Sequence, residues 1–145
     1  MSDANDFWRE AMRKGMGETA FLRALGGEIV SFESGRGRMR LPFAPHLVGD
    51  PETGVIHGGV LTAMLDQACG MAIGSALNAA AAMATLDLRI DYMKPAQPER
   101  DVLIESECLK IAHDVAFARA YAFQTTREEP VAIATGTFMI TKFGA

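Results

Sequence analysis

Hydrophobic and polar positions along the chain fall into three regimes. Between residues 3 and 14, Phe7, Trp8, Ala11 and Met12 recur at helical spacing, with Ser2 or Asp3 available as N-cap, and Gly15 and Gly17 end the pattern. A second short helical turn around Thr19 to Leu25 precedes the Gly26-Gly27 break. The period then shortens to two. Glu28 to Ser34 reads as a strand and Gly35 as a tight turn. Gly37 to Phe43 alternates, with Gly37, Met39, Leu41 and Phe43 on one face and Arg36, Arg38 and Arg40 on the other. Residues 44–56 hold two prolines and two glycines without period, which predicts a loop long enough to carry function.

The third regime begins after His57. The run GGVLTAMLDQACGMAIGSAL makes about five helical turns and is apolar on nearly every side, as expected of a helix enclosed by protein. Strands follow at Thr85 to Met93, Val102 to Ile111, Val115 to Gln124 and Val131 to Lys142. Pro95 and Pro98 separate the first pair, His113-Asp114 turns the second, and Glu128, Glu129 and Pro130 turn the last. Helix, two strands, long buried helix and four strands predict an α+β fold with an antiparallel sheet around one helix.

Composition narrows the classes. With 145 residues, 49% of them hydrophobic, the chain can bury roughly 70% of its unfolded surface without staples, so residues 1–145 are expected to form one domain, 1–25 being a helical preface to a core over 26–145. A net charge of −4 with scattered basic residues argues against a nucleic-acid partner. Cys69 and Cys108 lie far apart, outside any C-x-x-C pair, which fits a reducing cytoplasm. The charged N-terminus lacks the apolar core of a signal peptide. The uncharged run from Gln67 to Leu86 is dominated by Ala and Gly, too weak for membrane insertion, and reads as buried helix, linker and strand.

Nucleophile elbows, phosphate loops, dinucleotide fingerprints and zinc-protease motifs are absent from the sequence. What remains is His57-Gly58-Gly59 opening the long helix, with Asp66 inside it. A helix N-terminus offers unpartnered N–H groups and partial positive charge, and glycines admit a ligand close to that backbone; the same residues also serve as a plain loop-to-helix junction. A carboxylate in an otherwise apolar helix must be paired, protonated or at work. Asp66 lies eight residues, ~12 Å of helical rise, beyond Gly58, too far for one helix to present both to one atom, so cooperation between them requires two subunits. His46, Asp50 and Glu52 have no recognised metal spacing with His57, and no metal is expected. The Arg36, Arg38 and Arg40 stripe reads as a solvated strand face, with an anion-binding role as the lesser reading. Both cysteines read as small buried hydrophobes.

HGGVLTAMLDQACGMA, followed after a linker by ATLDLRIDYMKPA, resembles the hotdog-fold acyl-CoA thioesterases of the PaaI (phenylacetyl-CoA thioesterase-like) type, over about Glu28 to Lys142. The resemblance implies a long central helix wrapped by a curved antiparallel sheet, two units pairing edge to edge, and two active sites at the dimer interface, with a dimer of dimers as the larger assembly. It implies that the Gly58 amide polarises the thioester carbonyl, that Gly59 allows close approach and His57 shapes the site. Asp66 of the second subunit is then nucleophile or general base, and Thr85 helps hold water or the carboxylate. Many relatives carry Asn in the preceding loop; here Asp50 is the nearest candidate, and a carboxylate cannot donate as an amide does. Arg89, Lys94 and Arg119 are candidates for the CoA phosphates. The expected activity is hydrolysis of an aryl- or medium-chain acyl-CoA to free acid and CoA, with no cofactor beyond the CoA of the substrate. The alternatives are a non-catalytic acyl-CoA binding or sensing module and a hotdog enoyl-CoA hydratase or dehydratase.

Overall fold

A computed structural model describes residue 10, residues 18–77 and residues 81–143. The helix expected over residues 3–14 lies outside the described residues apart from Glu10. Helix α1, Ala20–Leu25, is capped by Thr19, whose hydroxyl accepts from Leu22 N–H at 3.1 Å, and ends at Gly26 with φ 76°, the left-handed conformation that favours glycine. It leads into a hairpin of β1, Glu28–Glu33, and β2, Arg36–Leu41.

Residues 44–56 are more ordered than their composition suggests. A 3-10 turn at Pro45–Leu47 runs into β3, Val48–Asp50, which pairs antiparallel with β4, Val55–Ile56. This correction to the expected loop has a local cause. Leu47 is buried, its carbonyl accepts from His57 N–H at 2.8 Å, and His46 bonds the Ala24 carbonyl at 2.9 Å, so both ends of the segment are docked.

Helix α2, Gly58–Ala76, is followed by β5, Ala81–Tyr92, then β6, Val102–Ala112, β7, Val115–Phe123, and β8, Ala132–Lys142. The large sheet is antiparallel throughout, in the order β1-β2-β6-β7-β8-β5, and α2 packs on all six of its strands. This is the α+β hotdog architecture, one long helix held in a large antiparallel sheet. The strand after the helix starts four residues earlier than alternation predicts. Ala82 and Ala84 are weak strand formers, but pairing with Thr141 and Met139 of β8 overrides propensity.

The helix-facing side of β7 is a row of alanines, Ala116, Ala118, Ala120 and Ala122, all buried. Small side chains there let α2, with Met64, Leu65, Ala68 and Ile73, lie close to the sheet. The far end of α2 is tied down by Ser75, whose hydroxyl accepts from Gly35 N–H in the β1–β2 turn and donates to the Ala72 carbonyl, both at 2.9 Å. No helix among the described residues is long and apolar enough to cross a membrane.

Candidate active site

The helix expected to be enclosed on every side is not. Within this chain Thr62, Ala63, Asp66, Gln67 and Gly70 form a half-exposed stripe at helical spacing, on the side nearest β5. The sheet is open on the same side, because β5 pairs only with β8 and its other edge has no partner among the described residues.

His57 is the N-cap of α2. Its Nδ1 accepts from Gly59 N–H at 2.8 Å, so in the neutral ring the proton sits on Nε2. No carboxylate pairs with His57 among the described residues. The first-turn amides can then be accounted for one by one. His57 N–H goes to the Leu47 carbonyl, Gly59 N–H to His57 Nδ1 and Val60 N–H to the His57 carbonyl. Gly58 N–H is left, the one amide of residues 57–60 without an acceptor among the described residues. It sits at the positive end of a 19-residue helix and is the group best placed to donate to a substrate oxygen.

The loop before the helix sets this geometry. A Cβ on Gly49 would lie 2.8 Å from His57 Cα, so only glycine lets β3 pass against the cap. Asp50 stays in its own turn, its carboxylate accepting from Thr53 Oγ1 at 2.8 Å and Glu52 N–H at 3.0 Å, and those bonds hold its pKa below the usual carboxylate range. The structure therefore gives Asp50 a turn-forming role, and among the described residues it makes no hydrogen bond to Asp66 or to the Gly58 amide.

Asp66 is half-buried on the open stripe and accepts a hydrogen bond from Thr85 Oγ1 on β5 at 2.7 Å. Its second oxygen has no partner among the described residues, and no cation pairs with it there. Asp66 and Thr85 are thus brought together in one chain, whereas Asp66 and Gly58 stand two helical turns apart. Cys69, one turn on from Asp66, is fully buried, and burial followed by the Asp66 charge pushes its thiol up to about 12, so it is inert as a nucleophile. Cys108 is half-buried, and burial raises it too.

The basic candidates separate by face. Arg89 and Arg119 both lie opposite Thr135, on the side of the sheet away from α2, and Arg89 pairs with Asp91 at 3.2 Å. Lys94 follows β5 just beyond Tyr92, exposed and without a side-chain partner among the described residues. Sequence reasoning missed Tyr92, whose hydroxyl donates to the Gly58 carbonyl at 3.1 Å, and Thr62, which bonds the same hydroxyl.

Comparison with known proteins places the architecture. Residues 53–131 match the Thioesterase superfamily. The medium/long-chain acyl-CoA thioesterase YigI of Escherichia coli K12 is 32% identical over 133 residues, covering 83% of this chain and 84% of that one. A solved Pseudomonas aeruginosa protein is 35% identical, with a TM-score of 0.79 over 91% of this chain and 98% of that one. The phenylacetic acid degradation protein PaaI of Thermus thermophilus, solved as a point mutant, shares the fold with a TM-score of 0.73 at 23% identity, over 83% of this chain and 98% of its own. An unspent amide at the start of the long helix, a hydroxyl-held carboxylate in its middle and these likenesses lead to one assignment: the chain belongs to the Thioesterase superfamily, as a hotdog-fold thioesterase.

Proposed function

We propose that the protein hydrolyses acyl-CoA thioesters in the cytoplasm, in an active site shared between two copies of the chain. The observation that carries this reading is the separation of two unspent groups: Gly58 N–H at the helix start and the free oxygen of Asp66 in its middle. They are too far apart to act from one chain, and both lie on surfaces this chain leaves open. A second copy laid against the free edge of β5 would extend the sheet and cover the α2 stripe. The unpaired edge of β5 supports the dimer, and a dimer of dimers would be built on it.

In that site the Gly58 amide donates to the thioester oxygen and stabilises the oxyanion as it forms. Asp66 of the second copy acts in one of two ways. As general base it takes a proton from water while the water oxygen bonds to the carbonyl carbon. As nucleophile it bonds to that carbon itself, giving a mixed anhydride that water then opens. In both routes the C–S bond breaks, CoA leaves as the thiol and the acyl group as the acid. Thr85 fixes one carboxylate oxygen and leaves the other to react. The residues require no metal or redox group for this chemistry, CoA being part of the substrate.

The acyl chain would lie between the paired helices, lined by the small residues of the stripe. YigI acts by its name on medium- and long-chain acyl-CoA, which supports an aliphatic over an aryl substrate. Of the three basic candidates Lys94 is the one we assign to CoA, since it extends beyond the Gly58 end of β5 and is uncommitted. A hydratase would need a histidine paired with an acid, and His57 spends Nδ1 on Gly59.

The test is thiol release from a panel of aryl and fatty acyl-CoAs, combined with subunit mixing. Asp66→Asn and Gly58→Pro are each expected to be inactive alone. Proline deletes the amide at a position where helices accept it, and His57, at φ −58° and ψ 132°, already has the backbone that precedes proline. Random reassortment of the two variants restores about a quarter of wild-type activity if the site is shared, because half the dimers then hold one intact site. A mixture that stays dead refutes sharing. Acyl-CoA that binds but is never cleaved replaces the enzyme with a binding module.

A further inference from the structure

Two glycines at the start of a helix are a poor way to aim an amide. Each is conformationally free and disfavours the helix, so a donor built on them must be held from outside. Three tethers do this around Gly58. On one side His57 N–H is anchored to Leu47, and on the other Gly59 N–H is anchored to His57 Nδ1. The third comes from the sheet. Tyr92 Oη donates to the Gly58 carbonyl at 3.1 Å and bonds Thr62 Oγ1, which itself lies 3.3 Å from the same carbonyl. The Tyr92 ring closes over the glycine, its Cε1 only 3.3 Å from where a Gly58 Cβ would be. The Gly58–Gly59 peptide is thereby held through both its N–H and its carbonyl, and the His57–Gly58 peptide, which carries the Gly58 N–H, is held through the His57 carbonyl that accepts from Val60 N–H at 3.0 Å; between them these bonds set the direction of the amide.

The strand that supplies Tyr92 also supplies Thr85. Seven residues separate them, an odd number, so regular alternation would send their side chains to opposite faces. The register of β5 against β8 breaks between Thr85 and Asp87: Thr85 faces Phe138 and Asp87 faces Thr137. Leu86, 56% exposed, is the extra residue of this bulge, and beyond it the parity is reset so that Tyr92 opposite Ala132 again faces the helix. One edge strand thus holds the Asp66 carboxylate at one point and the Gly58 peptide at another.

We propose that Tyr92, acting with Thr62, is a positioning residue that aims the Gly58 amide at the thioester oxygen. This rests on the thioesterase reading above. In Tyr92→Phe the ring stays and only the tether is lost. The expected result is a fall in kcat of about five- to tenfold, the worth of one neutral hydrogen bond, with KM within about twofold of wild type. Thr62→Val lowers kcat similarly, Thr62→Ser restores it, and the Tyr92→Phe/Thr62→Val pair is no worse than the poorer single variant, since both break one device. Amide hydrogen exchange at Gly59 and Val60, whose N–H groups are bonded, speeds up about tenfold in Tyr92→Phe without substrate present.

Unchanged kcat and exchange in Tyr92→Phe overturn the proposal. So does a raised KM with kcat kept, which makes Tyr92 a substrate contact. If wild type cleaves no thioester, the thioesterase reading fails, and the aiming role toward a thioester oxygen falls with it. The exchange measurement then still decides whether Tyr92 holds the peptide at all.

Discussion

Asp66 and Glu105 are carboxylates on opposite sides of one sheet, and their surroundings could hardly differ more. Glu105 on β6 stands between Arg38 at 3.5 Å and Arg127 at 3.7 Å, in a ladder that continues through Glu107 and Tyr121 across the outer face. Asp66 meets one hydroxyl and no cation among the described residues. An ion-paired carboxylate has spent its lone pairs and its charge on its neighbours. One held by a single hydroxyl keeps an oxygen for a substrate or a water. The outer face is built to stay in water, and the helix face withholds neutralisation from the one acid it carries. Abundance of charge is therefore a poor guide to the reactive group here; of these two acids, the one with no cation beside it is the better candidate.

The largest expected effect breaks the comparison at Asp66. Asp66→Asn keeps the shape and the Thr85 contact while removing the base or nucleophile, and kcat for acyl-CoA hydrolysis is expected to fall about a thousandfold. Thermal unfolding should show the fold intact. Glu105→Gln on the outer face, measured beside it, should change kcat by less than about twofold. Equal losses in the two variants would show that the faces do not divide chemistry from solubility.

A smaller loss follows from the hydroxyl. In Thr85→Val the carboxylate loses its donor and is free to turn, and we expect kcat to fall about thirtyfold, the range of a hydrogen bond to a charged group. Thr85→Ser should recover most of it. Activity unchanged in Thr85→Val would leave Asp66 positioned by the second copy alone.

Much of this division was legible in the sequence. Alternation in Gly37 to Phe43 separated the arginine face from the core face, and the breakers between the later strands marked the turns that the structure shows. His57, Gly58 and Asp66 stood out because glycines at a helix start and an acid in an apolar helix both demand an explanation. What was not legible depends on contacts between distant residues. The pairing of β3 with β4 rests on the docking of Leu47 and on Gly49 passing His57, neither of which has a local pattern. Tyr92 was hidden for a sharper reason. Counting by twos from Thr85 places it on the wrong face, and the bulge at Leu86 that corrects the count follows from pairing with β8. The open stripe on α2 was likewise concealed, because small residues look the same facing a partner as facing a core.

Cys69 tests how dry the helix face is. Its thiol has no hydrogen-bond partner among the described residues, so its ionisation reports burial and, after it, the Asp66 charge. Folding raises its pKa from 9.0 to about 12, so the stability linked to it is fully present below pH 9 and is lost as pH rises towards 12. At a fixed protein concentration, urea unfolding of wild type should lose about 1.4 kcal/mol more than Cys69→Ala between about pH 8 and about pH 10. Parallel pH dependence in the two proteins would mean that water reaches the thiol.

The smallest effect belongs to the outer ladder. The Arg127 guanidinium lies 4.0 Å over the Tyr121 ring and within reach of Glu105 and Glu107, and its closeness, which favours the phenolate, holds that phenol below its ordinary range. All of these partners sit at the solvent boundary, where screening and side-chain entropy cancel most of the Coulomb gain. Arg127→Ala should therefore cost about 0.5 to 1 kcal/mol of stability, leave kcat within about twofold, and move the ultraviolet titration of Tyr121 upwards. Added salt should shrink the stability difference, because the ion pairs are screened while the ring contact is not. A kcat loss in this variant that persisted in high salt would require the outer face to reach the reacting atoms through the sheet. The alanines of β7, which bring α2 down on the other side, would then be carrying more than the packing of the helix.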